Sequence, residues 1–209
     1  MPSQANVCTE STTDRSLLSV DATHQHSNTC ADVSQRSALN IQQRVSVILY
    51  LRTMKISGDE LLAEVDAFYV RHPGVVNAAE AKHKLPFRLL YAVGSRETNL
   101  AQHWEQTPGD GGHGHGTWQL DDRSHTIPTP FPIEMQADMA AQLLADLIAH
   151  FHGNVKSALS AYNAGIGGAE RGLRETGNSD QHTTGGDYGQ DTLDRLHYIQ
   201  AHRPPGGHH

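Results

Sequence analysis

The sequence has no run of basic residues, and its formal net charge is −7. Phosphate binding requires clustered Lys and Arg, so nucleic acid is excluded as a partner. No apolar run reaches the roughly 18 residues of a membrane span, so no membrane partner is expected. The opening "MPSQANVCTE" lacks a charged segment followed by an apolar one, so no secretory signal is visible. Hydrophobic content is low, at 37%, and mean hydropathy is −0.52. Part of the chain is therefore expected to stay outside a packed core. Cysteine is nearly absent: Cys8 and Cys30 lie in the polar N-terminal stretch. Two free thiols are one reading. A disulfide closing a loop of about 22 residues, stabilising by roughly 3 kcal/mol, is the other.

What remains is helical in pattern. Residues 1 to 36 are polar and read as a loose extension. "IQQRVSVILYLRTM" (41–54) fits a helix or a strand. Ser57 followed by Glu60 is a capping-box pattern, and Leu61, Val65 and Phe68 form an apolar stripe that Pro73 and Gly74 stop. "LPFRLLYAVGSRET" places Pro86 in a first helical turn, with Leu90, Val93 and Glu97 on one face. "IPTPFP" reads as an extended connector. "IEMQADMAAQLLADLIAHFHG" is a long amphipathic helix ended by Gly153. "NVKSALSAYNAG" is a short helix capped by Asn154 and terminated by Gly165. "DYGQDTLDRLHYIQAH" is a last helix, and there is room for one small hairpin near 109–122.

Glu97 is the informative residue. A carboxylate on an apolar stripe is partly desolvated, which favours its neutral form. The negative end of the helix dipole pushes the same way. A carboxyl kept protonated near neutral pH is a general acid. The competing reading is a structural Glu that pairs with Arg or caps the helix end. Two stretches weigh against that. "GDGGHGHGTWQLDD" (109–122) places Asp110 and Asp121 among glycines that permit tight turns and close approach of a ligand. Trp118 between them offers a flat face for a sugar ring. "SAYNAG" (160–165) sets Tyr162 and Asn163 at a helix end, where their polar groups could face a cleft.

Taken in order, "GSRETN", "GDGGHGHGTWQLDDRSH", "ALSAYNAG" and the closing "TTGGDYGQDTLDRLHYIQAH" resemble the goose-type lysozymes and the soluble lytic transglycosylases. The resemblance covers about residues 57 to 202. It implies a mainly α, lysozyme-like α+β fold with a small β-hairpin beside the substrate cleft. It also implies cleavage of the β-1,4 bond between N-acetylmuramic acid and N-acetylglucosamine in peptidoglycan. Glu97 matches the family's general acid, and Asp110 and Asp121 match two aspartates proposed to position water. Gln119, Tyr162 and Asn163 match cleft residues, as does Tyr188. His115 is placed at the lip of the cleft, where it could contact sugar hydroxyls. The transglycosylases usually lack the two aspartates, so their presence leans toward hydrolysis. An inverting glycosidase needs its acid and base about 6.5–9.5 Å apart with water between them. Thr98, Thr117 and Trp118 depart from the usual family residues, and the cysteine pattern is not matched in full.

Three rival readings concern the same residues. The glycine stretch has no following Lys and no preceding apolar strand, so neither nucleotide fingerprint fits. His113 and His115, with Asp110, Asp121 and His125 near in sequence, could take a metal, though at no recognised zinc spacing. A wall-binding protein that lost turnover would have no need for a carboxyl on an apolar stripe. The expected organisation is a polar extension over 1–56, a lysozyme-like catalytic domain over 57–202 and a flexible tail over 203–209. A secreted monomer acting on peptidoglycan, with no cofactor and no metal, is the expectation.

Overall fold

The computed structural model describes residues 54–101 and 109–203, except for the side chain of Asp110. All of them belong to the unit Leu39–His209. The two cysteines, the ambiguous stretch before residue 54 and the end of the tail lie outside the described residues.

Ser57 starts the first helix, α1 (Gly58–Arg71), its side chain accepting from the Glu60 N–H at 3.2 Å. The stripe Leu61, Val65 and Phe68 is fully buried, as its spacing predicts. A helix the sequence reading passed over follows, α2 (Val75–His83), turning Val76, Ala79 and Glu80 inward. The next helix, α3 (Leu89–Thr98), starts later than expected. Pro86 lies in the turn before it, where its carbonyl accepts from Leu89 N–H at 3.1 Å. Arg88 takes the left-handed conformation there, at φ 74°. The buried Glu80 carboxylate accepts from the N–H groups of Arg88 and Leu90, each at 2.8 Å, and so caps α3 from another element. Every residue from Leu89 to Ser95 is buried, because α3 packs on four neighbours.

A two-stranded antiparallel hairpin, β1 (Gly114–His115) and β2 (Leu120–Asp121), pairs Gly114 with Asp121 and His115 with Leu120. The proline-rich connector forms neither helix nor strand and bends at Thr129 and Pro130, whose peptide bond is cis, before α4 (Ile133–His150). Gly153, at φ 87°, closes α4 by donating to the Ile148 carbonyl at 2.8 Å. Asn154 caps α5 (Val155–Thr176) as expected, accepting from Ser157 N–H at 3.0 Å. Gly165 breaks this helix rather than ending it: at φ 72°, ψ 162° the chain kinks and then resumes its coil to Thr176. Short 3-10 turns at Ser179–His182 and Thr184–Gly186 lead into α6 (Tyr188–His202). The six helices among the described residues and the small sheet make a mainly α, lysozyme-like architecture, with α3 packed against α1, α2, α4 and α6.

Candidate active site

Glu97 occupies the last turn of α3 and is half-buried. The residue keeps some exposure, yet the protein surrounds its carboxyl closely. Burial pushes its pKa up to about 7, against the opposing pull of a hydrogen bond from Tyr188 and the charge of Arg96. Tyr188, the first residue of α6, donates its hydroxyl to Glu97 Oε1. Tyr162 on α5 donates to the Trp118 carbonyl at 2.6 Å. Burial first, then the nearby Glu97 charge, raises both tyrosine pKa values well above the ordinary range, so both remain donors.

A cavity of about 650 Å³ opens at this point. Glu97 and Asn99 line it from the end of α3, Tyr162 and Asn163 from α5, and Gln119, Asp121 and Arg123 from the hairpin. Thr184 closes one side, its N–H donating to Asn163 Oδ1 at 2.7 Å. The glycines of the hairpin have a local cause. The Gln119 side chain folds across Gly109 and Gly114, and a Cβ at either would collide with its Oε1. Gln119 Nε2 in turn donates to the Gly116 carbonyl at 2.8 Å.

Asp121 faces the cavity in the grip of Arg123, which donates through Nε at 2.8 and 3.0 Å and through Nη2 at 2.6 Å. Those bonds, and one from the Arg123 backbone, lower its pKa to about 2. It is ionised throughout the working range and correspondingly weak as a base. The backbone of Asp110 lies in the turn Asp110–Gly112 that leads into β1; its side chain is outside the described set.

Three expected contact residues are placed differently. Trp118 offers no face to a sugar: it is fully buried, its Nε1–H donates to the Leu90 carbonyl at 2.9 Å, and it packs edge-on against Phe68. An indole in a small hairpin pins that hairpin to the core as readily as it stacks on a ligand. His115 turns away from Glu97 and meets Asp122 Oδ2 at 2.8 Å, while His113 meets Asp122 Oδ1 at 2.8 Å. His115 and Asp122 line a larger cavity of about 990 Å³, walled by the proline-rich connector, that does not reach Glu97. Tyr188 is only 2% exposed, so it serves Glu97 rather than the open groove. Among the described residues, no group of three or more His, Cys, Asp or Glu side chains could hold a metal ion. No helix among them is long and apolar enough to cross a membrane.

Arg123 was missed in the sequence, although an Arg two residues beyond a site Asp on a turn is a readable ion-pair signal. So was the network beneath the site. Arg96 lies over the Tyr188 ring at 5.2 Å and reaches buried Asp191 at 3.0 Å. Arg195 joins Asp191 to Ser95, which donates to the buried Glu64 at 2.5 Å.

A family model described as lysozyme g matches residues 32–203. The chain belongs to the lysozyme g family. Its match begins upstream of residue 57, where the resemblance read from the sequence starts. Lysozyme G of Dromaius novaehollandiae is 26% identical to this lysozyme g member over 157 residues, covering 70% of the chain and 75% of the relative. Lysozyme g of Casuarius casuarius is 30% identical and that of Gallus gallus 28%, each over 123 residues and 54% of the chain. The chain spans 64% and 56% of the length of those two relatives. Membership supports a lysozyme-type glycosidase function.

Proposed function

We propose that the protein is a muramidase that hydrolyses the β-1,4 bond between N-acetylmuramic acid and N-acetylglucosamine in peptidoglycan, with Glu97 as general acid. The observation that carries this reading is a carboxyl with a pKa of about 7 opening onto a groove. Tyr188 engages Glu97 Oε1, which leaves Oε2 to carry the proton toward the leaving oxygen. As the glycosidic bond breaks, the proton passes to that oxygen and Glu97 becomes a carboxylate. Tyr188 and Arg96 favour that charged form, so their help grows toward the transition state. Asp121, with Asp110 on the same hairpin segment, positions water for attack at the anomeric carbon in an inverting displacement, and this pair of carboxylates takes the proton that the water loses. Gln119, Asn163 and Tyr162 bind the sugars. A single chain carries every group this mechanism uses, and the substrate implies delivery to the compartment of the cell wall.

One observation favours a second product. Asp121, held by Arg123 at a pKa of about 2, is a poor proton acceptor, which suits a route in which Glu97, having given its proton to the leaving oxygen, takes the proton of the sugar's own 6-hydroxyl as that oxygen attacks the anomeric carbon. Mass spectrometry of muropeptides separates the two. Reducing-end muramic acid, lost in Glu97→Gln, is the expected result. Anhydro-muramic ends would identify a lytic transglycosylase. Cleavage undiminished in Glu97→Gln would overturn the role of Glu97, and no cleavage of any wall would leave a wall-binding protein.

A further inference from the structure

The Tyr188 hydroxyl engages the Glu97 carboxyl, and the segment that fixes the start of its helix is remote in sequence from Glu97. Asp180 sits in the 3-10 turn before α6 and is 1% exposed. Its Oδ1 accepts from Gly189 N–H at 2.6 Å and its Oδ2 from Gln190 N–H at 2.9 Å. These are first-turn donors of α6, left without intrahelical partners, so the buried carboxylate caps α6 from outside. The Ser160 hydroxyl of α5 donates to the same Oδ1 at 2.8 Å, and Lys156 Nζ stands 3.8 Å from Oδ2. Thr183 completes the clamp: its hydroxyl donates to the Asp180 carbonyl at 2.9 Å and accepts from Tyr188 N–H at 3.2 Å. Gly189 makes the approach possible, since a Cβ there would lie 2.7 Å from the Lys156 carbonyl and 2.8 Å from Asp180 Oδ1.

We infer that Asp180 is a positioning residue for the active site: it welds the start of α6 to α5 and thereby sets the Tyr188 hydroxyl on Glu97. The inference rests on the reading of Glu97 as the acid only for its effect on turnover. The contact it explains is structural. Ser160 lies two residues before Tyr162, so the same carboxylate registers both tyrosine-bearing elements against each other.

The groups that face the Glu97 carboxyl are Arg96 on its own helix, Tyr162 on α5, Tyr188 on α6, and Asp121 with Arg123 from the hairpin. Asp180→Asn alters none of them. The test is a titration of the Glu97 side-chain carboxyl by carbon-13 NMR in the full chain, beside kcat and KM on peptidoglycan. Tyr188→Phe is expected to move the Glu97 midpoint upward, because it removes a bond to the ionised form. Asp180→Asn is expected to move it in the same direction, with kcat down about tenfold and KM nearly unchanged. The double variant is expected to go no further than Tyr188→Phe alone. Ser160→Ala, which spares both backbone bonds, gives a smaller shift of the same sign and serves if Asp180→Asn does not fold. A Glu97 midpoint that moves in Tyr188→Phe but in neither of the other two would overturn the inference. Full activity in Glu97→Gln would sink the catalytic reading and leave the titration result standing.

Discussion

Tyr188 and Arg123 each favour the charged form of one carboxyl, and each yields a pH prediction. As the proposed general acid, Glu97 must be protonated to act, so kcat/KM should fall as pH rises through about 7. In Tyr188→Phe that alkaline limb should move to higher pH, even as the rate at the optimum drops. Arg123 holds Asp121 at about 2. In Arg123→Ala the carboxyl should return toward the ordinary carboxylate range, and the acid limb of kcat/KM should rise with it. An acid limb that stays put would remove Asp121 from the water-activating role. Glu97 was legible from its place on an apolar stripe, since burial alone gives the direction of its shift. Trp118 was not, because an aromatic ring satisfies a core and a sugar site equally well. Asp180 was invisible because its partners are backbone N–H groups of another element, which leave no mark on side-chain pattern.

The kink at Gly165 lies two residues past Asn163. Its φ of 72° with ψ of 162° belongs to a region that essentially only glycine enters, and nothing lies within 4 Å of the site of a Cβ. Gly165→Ala should therefore lower stability by about 1–3 kcal/mol through the backbone alone, read as a lower urea midpoint with an unchanged slope. Ser57→Ala, which removes the α1 cap, should cost about 1 kcal/mol by the same measurement. Helices with a strong stripe, α1, α4 and α6, were readable from spacing. The helix α2 was not, because "VVNAAEAKH" has few large apolar residues and its burial comes from packing on α4. The second half of α5 was hidden by its glycines. One of them, Gly172, is there because a Cβ would lie 2.5 Å from the Asn178 carbonyl, where the 3-10 turn before α6 packs on the helix.

At the scale of the molecule, three glutamates, Glu64, Glu80 and Glu97, have pKa values raised by burial, the latter two to about 7. A raised folded value means stability that is full below the unfolded value of 4.5 and lost as pH climbs through the folded one. His197, lowered by burial, works the other way just below 6.5 and offsets part of the loss. Asp121, Asp122 and Asp138, all in contact with solvent, are lowered by their partners, so their contribution disappears only in stronger acid. Thermal unfolding should therefore show a stability maximum on the acid side of neutrality, declining between about pH 4.5 and 7. In Glu80→Gln that decline should be shallower. Such a slope was beyond the sequence, since it depends on which carboxyls the fold encloses.

Trp118 has one more consequence. Its indole is bonded to the carbonyl of Leu90, in the first turn of the helix that carries Glu97 in its last turn, and its own carbonyl receives Tyr162. Floor, hairpin and opposite wall are thus stitched through a single residue, and Tyr188 adds a second stitch at the acid itself. A groove fastened at both of its sides cannot close around a sugar like a jaw. For the proposed muramidase, the work of bending the reacting ring would then fall on the polymer, drawn into shape by the sugars gripped on either side of it.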